Sequence, residues 1–368
     1  MHKTLTLVVP SYNMEAYLPR CIDSLGIDTL KGIRLSDGET LGDRLEVLVV
    51  NDGSKDKTSE IGHGFESRHP QIVRVIDKPN GHYGSCINRG LAEAKGTFIK
   101  ILDADDSFAT TAFENYLRSL CEIEDREGDR EIDLVISDFQ RIKIDGLPIE
   151  DPVTYSYPKD KSFSVDMIAG CDLPHYLMPA LTYRTERLRK LNYHQTEGRL
   201  YTDTEWVVLP LCIVRKVRYW PGILYLYSIG REGQSMNENV WRSNLRQCIE
   251  VRTNIATFVA HQTEFAGSKN RDVVRTLTLK YLVGVYFRVF QEYGANEMTQ
   301  LLRPLDDSIK SIDAEMYEAL RTVALPRRRG FHLIRFWQDH RWSNGLIGCY
   351  LRLYSRIVKF ILWLTGKR

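Results

Sequence analysis

Three carboxylates in four residues, Asp103, Asp105 and Asp106, follow directly on the apolar run Phe98 to Leu102. Acids this close repel one another unless a cation lies between them. Oxygen-only sites with one or two protein carboxylates suit Mg2+ or Mn2+ held jointly with substrate phosphates, which makes Asp105 a candidate metal ligand. A helix N-cap at Asp106 or Ser107 is the structural alternative, although capping needs only one such residue. A second cluster, Asn51-Asp52-Gly53-Ser54, follows Val49-Val50 and reads either as a ligand-facing carboxylate or as a turn with a helix cap. In the third, Asn80-Gly81-His82-Tyr83-Gly84 with Asn88 and Gly90 beyond, the glycines either let backbone approach a ligand or form a turn.

The elements around these clusters follow from hydrophobic periodicity. Leu5 to Val9, Leu45 to Val50, Ile72 to Ile76 and Phe98 to Leu102 read as buried strands, with helical patterns at Glu15 to Leu25, at Ser59 to Ser67 and ahead of Lys95-Gly96. Uninterrupted apolar strands joined by helices imply a parallel sheet covered on both faces. Ligands of such sheets bind beyond the carboxyl ends of the strands. Tyr12, Asp52, Asn80 and Asp103 all follow strand ends, so they should converge on one rim.

Beyond Asp133 the pattern becomes mixed. Strands are expected at Leu134 to Phe139, Gln140 to Ile144 and Val217 to Tyr227, and helices at Thr185 to Leu191 and Thr204 to Leu211. Residues 239–325 read as a helical appendage, rich in helical spacing at Leu245 to Phe258 and Val273 to Phe290. The expected division is therefore 1–238 (parted into 1–110 and 111–238), 239–325, and 326–368.

Composition excludes several classes. With 43% hydrophobic and 27% charged residues the chain is an ordinary globular one rather than a disordered one. Its seven cysteines are scattered without CxxC spacing, against a zinc ribbon or disulfide framework and in favour of a reducing compartment. The first ten residues lack the features of a signal peptide, and no apolar run is long enough to span a bilayer. From Pro326 to Arg368 ten Lys/Arg face one acid, leaving 40 basic and 47 acidic side chains in the rest. An anionic surface is thus the expected partner of the tail alone, and no nucleic acid is expected.

Together the segments resemble the family 2 glycosyltransferases of the GT-A fold, of the bacterial polysaccharide type. The resemblance rests on Val8-Val9-Pro10-Ser11-Tyr12-Asn13, Asn51-Asp52-Gly53-Ser54, Asn80-Gly81 to Asn88-Arg89-Gly90-Leu91, and Lys95-Gly96 with Leu102-Asp103-Ala104-Asp105-Asp106. It is strong over about the first 110 residues, and it implies that 1–110 hold the nucleotide sugar and 111–238 the acceptor. It implies an α/β GT-A fold, Rossmann-like, with a mixed sheet, and a nucleotide-sugar donor, by default a UDP-sugar. Pro10, Tyr12 and Asp52 would hold the nucleotide base, and Asp103 would lie near ribose and diphosphate. Asp105 would ligate Mn2+ or Mg2+, and Asn80, Gly84 and Asn88 would line the donor site. The family's general base matches Asp203 in Tyr201-Thr202-Asp203-Thr204-Glu205-Trp206, but Thr202 replaces the usual Glu, so Glu205 competes for the role. A helix cap is the structural alternative there. Arg231, in Gly230-Arg231-Glu232, would pair with donor phosphates or be a solvated turn residue.

The resemblance implies an inverting transfer onto a lipid-linked or glycan acceptor. The other readings are a silent membrane scaffold of the same fold and a nucleotidyltransferase-like enzyme, the latter disfavoured by the lack of a Gly-rich phosphate loop after the first strand. Gly345 to Arg368 carries an apolar face with Arg352, Arg356 and Lys359 on one stripe, as an in-plane membrane helix requires, so a cytoplasmic, peripheral location at the inner membrane face is expected. Gln338-Asp339-His340-Arg341-Trp342 spells the Q-x-x-R-W motif of processive synthases but lies far beyond Asp203 with no span after it. It is read as coincidence.

Overall fold

The computed structural model describes residues 2–126, 131–169, 177–231, 234, 238–263, 265, 267–323, 332–340 and 353. The strands are β1 (Lys3–Ser11), β2 (Leu45–Asn51), β3 (Val73–Asp77), β4 (Gly96–Ile101), β5 (Ser107–Phe108), β6 (Ile132–Lys143), β7 (Phe163–Ser164), β8 (Leu181–Arg184) and β9 (Lys216–Ile229). The helices of the sheet region are α1 (Leu18–Asp23), α2 (Ile27–Gly32), α3 (Thr58–Arg68), α4 (His82–Glu93), α5 (Thr110–Asp125), α6 (Asp166–Ala169), α7 (Thr185–Lys190), α8 (Asp203–Val208) and α9 (Glu238–Ser243). After them come α10 (Leu245–His261), α11 (Ser268–Glu292), α12 (Ala295–Ile312), α13 (Ala314–Thr322) and α14 (Leu333–His340).

The strands form one mixed sheet in the order β3-β2-β1-β4-β8-β6-β9-β5, with β7 also on β9. The first four run parallel, and β8 is antiparallel to both β4 and β6. Leu5, Leu7, Val8 and Val9 of β1 are fully buried, as both-face coverage of a parallel strand demands. Pro10, opposite Val50, lies past the last β1–β4 pair, Val8 with Ile101, so its missing N–H breaks no bond of that ladder.

Several elements differ from expectation for local reasons. The helix expected from Glu15 begins only at Leu18, after a turn in which the Tyr17 and Leu18 N–H groups both donate to the Met14 carbonyl. The two strands expected across 134–144 are one, because Asp138 and Gln140 find partners where they are buried. Asp138 accepts from the Tyr219 hydroxyl and the Gly222 N–H, and Gln140 donates to the Glu150 carbonyl. The β6–β9 register shifts beside Asp138, where β9 carries Pro221 and that Gly222 donor. Helix α8 stops at Val208 and continues as a 3-10 turn over Leu209–Cys212, since Pro210 offers no N–H.

The chain divides into two compact units: Met1–Asn244 with Glu264–Val273, and Leu245–Thr263 with Val274–Arg368. In the second, Leu282, Val289, Leu302, Ile309, Leu320 and Ile334 are buried, and Trp337 packs edge-on to Tyr286 with centroids 6.4 Å apart. No helix among the described residues is long and apolar enough to cross a membrane. The expectations for Gly345 to Arg368 and for Arg341-Trp342 fall outside the described residues, Leu353 apart.

Candidate active site

Four strand ends meet at the rim anticipated above. The loops after β1 and β2 are laced together. The N–H groups of Asn13, Met14 and Glu15 donate to Ser54, Thr58 and Asp56, while the Asn13 and Glu15 side chains accept from the Lys55 and Lys57 N–H groups. Asn13 adopts a positive φ of 54° to make this possible. Lacing leaves Tyr12 44% exposed beside the buried Asp52. The Asp52 carboxylate accepts from Lys78 Nζ at 2.5 Å and from the Gly81 N–H at 2.9 Å, and Asn80 Nδ2 donates to the Asp52 carbonyl at 3.0 Å. Lys78, which sequence reasoning passed over, thus orients the carboxylate, and it also reaches Ser85 Oγ at 2.7 Å.

At the end of β4 the acids are divided among distinct partners. Asp103 Oδ1 accepts from the Tyr83 hydroxyl at 2.9 Å, and the Asp103 N–H donates to the Tyr225 hydroxyl at 3.1 Å. That same hydroxyl donates to Asp106 Oδ2 at 2.6 Å, while Asp106 Oδ1 accepts from the Ser228 N–H at 2.7 Å. Asp106 is therefore a buried brace between β4 and β9 rather than a helix cap. Asp105 Oδ2 is ion-paired with Arg231 Nε at 2.8 Å, and Arg20 Nη2 braces its backbone carbonyl at 2.6 Å and the Ser228 hydroxyl at 2.9 Å.

The electrostatics follow from this crowding. Burial, then Asp105 and Asp203, push the Asp103 carboxyl up to about 7 against the Tyr83 hydrogen bond and the Arg231 charge. Burial and the charges of Asp105 and Asp103 raise Asp106 well above the ordinary carboxylate range. Burial and then Asp103 and Asp203 raise the Tyr83 hydroxyl, keeping it a donor. Asp203, from the start of α8, thus acts on the same two side chains as the β4 acids.

Asp203 is exposed at the first position of α8, whereas Glu205 is 2% exposed. Both Glu205 oxygens are engaged by one residue: Oε2 accepts from the Thr196 N–H at 2.7 Å and Oε1 from its hydroxyl at 2.6 Å. The Thr196 segment is also what approaches α4. A Cβ on Gly84 would stand 2.1 Å from the Thr196 carbonyl oxygen, so close packing of chain on chain accounts for that glycine. Asn88 likewise exchanges hydrogen bonds with the Gln195 backbone, at 2.8 and 2.9 Å, and donates to Glu197 at 2.9 Å. Gly84 and Asn88 thereby hold the segment that leads into α8. Arg231, expected to pair with donor phosphates or to be a solvated turn residue, is ion-paired with Asp105 here. The hydrogen bonds of Tyr83, which lies in the third cluster, and of Tyr225 to the acids were not foreseen, because their partners are distant in sequence.

Fold and rim together define a nucleotide-sugar-transferase architecture of the GT-A type, with a helical C-terminal region. Residues 6–126 match the family model Glycosyl transferase family 2. The chain is 37% identical over 111 residues to an uncharacterized glycosyltransferase, the MG025 homolog of Mycoplasma pneumoniae, a match covering 30% of this chain and 33% of the relative. It is 29% identical over 194 residues to the chondroitin synthase of Pasteurella multocida, covering 53% of this chain and 17% of that one. The matched region spans a third or less of the length of these relatives. Among solved structures, S. aureus TarS 1–349 in complex with UDP-GlcNAc superposes with a TM-score of 0.63 at 18% identity, over 96% of this chain and 91% of that chain.

Proposed function

We propose that this chain is an inverting, divalent-cation-dependent glycosyltransferase that moves a sugar from a UDP-sugar onto a lipid-linked or glycan hydroxyl in cell-surface polysaccharide synthesis. The observation that carries the reading is the crowding of Asp103, Asp105 and Asp106 just beyond β4, held by Tyr83, Arg231 and Tyr225, next to the laced loops after β1 and β2. Support for the donor and product class comes from the UDP-GlcNAc complex of the TarS structure and from the polysaccharide synthase among the relatives.

In this reading Tyr12 stacks on the uracil and Asp52, oriented by Lys78, accepts from the base. Asp103 lies towards ribose and diphosphate. The residues fit a hard divalent cation. The donor set is carboxylate oxygen, its mutual repulsion is what positive charge relieves, and a guanidinium already sits on Asp105. Among the described residues no three His, Cys, Asp or Glu are grouped to hold a metal, so phosphate and water oxygens would complete the coordination. When bound, Mn2+ or Mg2+ would supply charge stabilisation for the leaving diphosphate.

The protein's own part is proton transfer and positioning. Asp203, exposed at the start of α8, takes the proton of the acceptor hydroxyl as that oxygen bonds to the anomeric carbon. The bond from that carbon to the diphosphate oxygen breaks on the opposite side, and the centre inverts. Glu205 holds Thr196 and so sets the entry to α8. The basic tail, on this proposal, rests on the anionic inner face of the membrane and brings the site to its acceptor.

Asp203→Asn should lower UDP release from a panel of UDP-sugars with Mn2+ by on the order of 10²- to 10⁴-fold while UDP binding persists. Glu205→Gln should instead lower the melting temperature more than it lowers turnover by folded protein. Turnover by Asp203→Asn equal to wild type would remove Asp203 from the mechanism.

A further inference from the structure

Arg231 occupies the carboxylate that a catalytic cation would need. Its Nε lies 2.8 Å from Asp105 Oδ2, and its guanidinium stands over the Tyr17 ring at 5.8 Å. The other nearby guanidinium, Arg20, is committed elsewhere. It bonds the backbone carbonyls of Ile144 and Asp105 and the Ser228 hydroxyl, so it braces main chain instead of neutralising the acid. The backbone beside Arg231 is anchored. Gln234 accepts from the Gly230 N–H at 3.1 Å and donates to the Ser228 carbonyl at 2.8 Å, and Gly230 holds a φ of 108° that suits glycine alone. Any exchange of partners therefore falls to the long, rotatable arginine side chain, which is 22% exposed.

We propose that Arg231 is a place-holder cation, neutralising Asp105 until a divalent cation arrives together with a nucleoside diphosphate, and then transferring its guanidinium to that diphosphate. The inference rests on the cation site proposed above. A cation arriving alone must displace the guanidinium from Asp105 and brings no anion in exchange. A diphosphate offers a planar guanidinium a charge-assisted, two-pronged partner. Cation and nucleotide should then help each other to bind, and reciprocally so, because linkage makes each raise the affinity of the other by the same factor. No covalent step is involved. The chain would keep its acid cluster neutralised at rest and admit the metal chiefly as part of a metal–nucleotide pair.

The test is Mn2+ binding to the full chain, followed by the loss of the free-ion electron paramagnetic resonance signal, with and without UDP. For wild type, UDP should tighten Mn2+ binding by roughly tenfold or more. Arg231→Gln should bind Mn2+ alone more tightly than wild type, bind UDP–Mn2+ more weakly, and lose most of the mutual enhancement. Those opposite shifts from one substitution distinguish a place-holder from a residue that merely supports the fold, whose loss weakens both. Arg231→Lys, which keeps the charge, should retain the suppression of Mn2+ binding. If Asp105→Asn abolishes Mn2+ binding but Arg231→Gln leaves Mn2+-alone affinity unchanged or lower, the place-holder idea is overturned and the cation site stands. If wild type binds no Mn2+ even with UDP, both are overturned.

Discussion

Two buried aspartates, one in each unit, hold a tyrosine hydroxyl, and they do opposite jobs. In the sheet unit Asp106 takes the Tyr225 hydroxyl and the Ser228 N–H with Asp103 and Asp105 close by. In the helical unit Asp306, fully buried, takes the Tyr286 hydroxyl from α11 and the Gln338 amide, at 2.7 Å, from α14. The partners shown for Asp306 are neutral, and the network ties one helix to another. Asp106 belongs to a run of like charges ending on an arginine that can change partner. Like-charge crowding costs stability, and on the function proposed above the fold retains it at a strand end for a ligand. On the same reading, the buried Asp306 carboxylate with its hydroxyl and amide partners is architecture.

The comparison breaks most easily at Asp105. Asp105→Ala should cut Mn2+-dependent release of UDP from a UDP-sugar by on the order of 10³-fold, as loss of a group that places transition-state charge does. Its melting temperature should fall little or rise, because a repelling charge leaves the cluster. Retained Mn2+-dependent turnover would show that the crowding has another cause.

Asp306→Ala should show the reverse pattern. It strands the Tyr286 hydroxyl and the Gln338 amide in an apolar interior, at a cost of about 3 kcal/mol. Denaturant unfolding measures that loss, and turnover per folded molecule at low temperature should remain near wild type. A normal unfolding midpoint with lost turnover would sink the contrast from the other side.

The sequence carried the sheet half far better than the contacts within it. Buried strands announced themselves because apolar residues fall on both faces of β1, β2 and β4, even with Thr6, Glu46 and Lys100 buried among them, and the acids following β4 stood out because nothing in a parallel sheet needs them there. Partners were illegible where they come from distant strands. Nothing near Asp106 in sequence points to Tyr225, nor does anything beside Glu205 point to Thr196 as a partner of both its oxygens. Gly84 and Asn88 drew notice for the right chemistry, since glycine permits close approach, but the approaching group is the chain itself at Thr196. Gln338 illustrates the same blindness. Its neighbours spell a known motif, yet in three dimensions its amide is an internal partner of Asp306.

The finest probe of the comparison removes one oxygen from each network. Tyr225→Phe deletes a hydroxyl that donates to Asp106 and accepts from the Asp103 N–H, and Tyr286→Phe deletes the donor to Asp306. Tyr225→Phe loses two buried hydrogen bonds and Tyr286→Phe the one to Asp306, so they should cost about 2 and about 1 kcal/mol in denaturant unfolding. Stability alone would separate the two substitutions only by that one bond. Only Tyr225 spans two residues of the acid run, fixing where the Asp103 backbone sits relative to Asp106. Its loss frees the strand end that aims Asp103 and Asp105, and Tyr225→Phe should therefore lower UDP release by about tenfold, with the apparent Mn2+ requirement raised. Tyr286→Phe should leave both unchanged. Equal turnover in the two variants would mean that the brace behind the acids is as purely structural as the one between the helices.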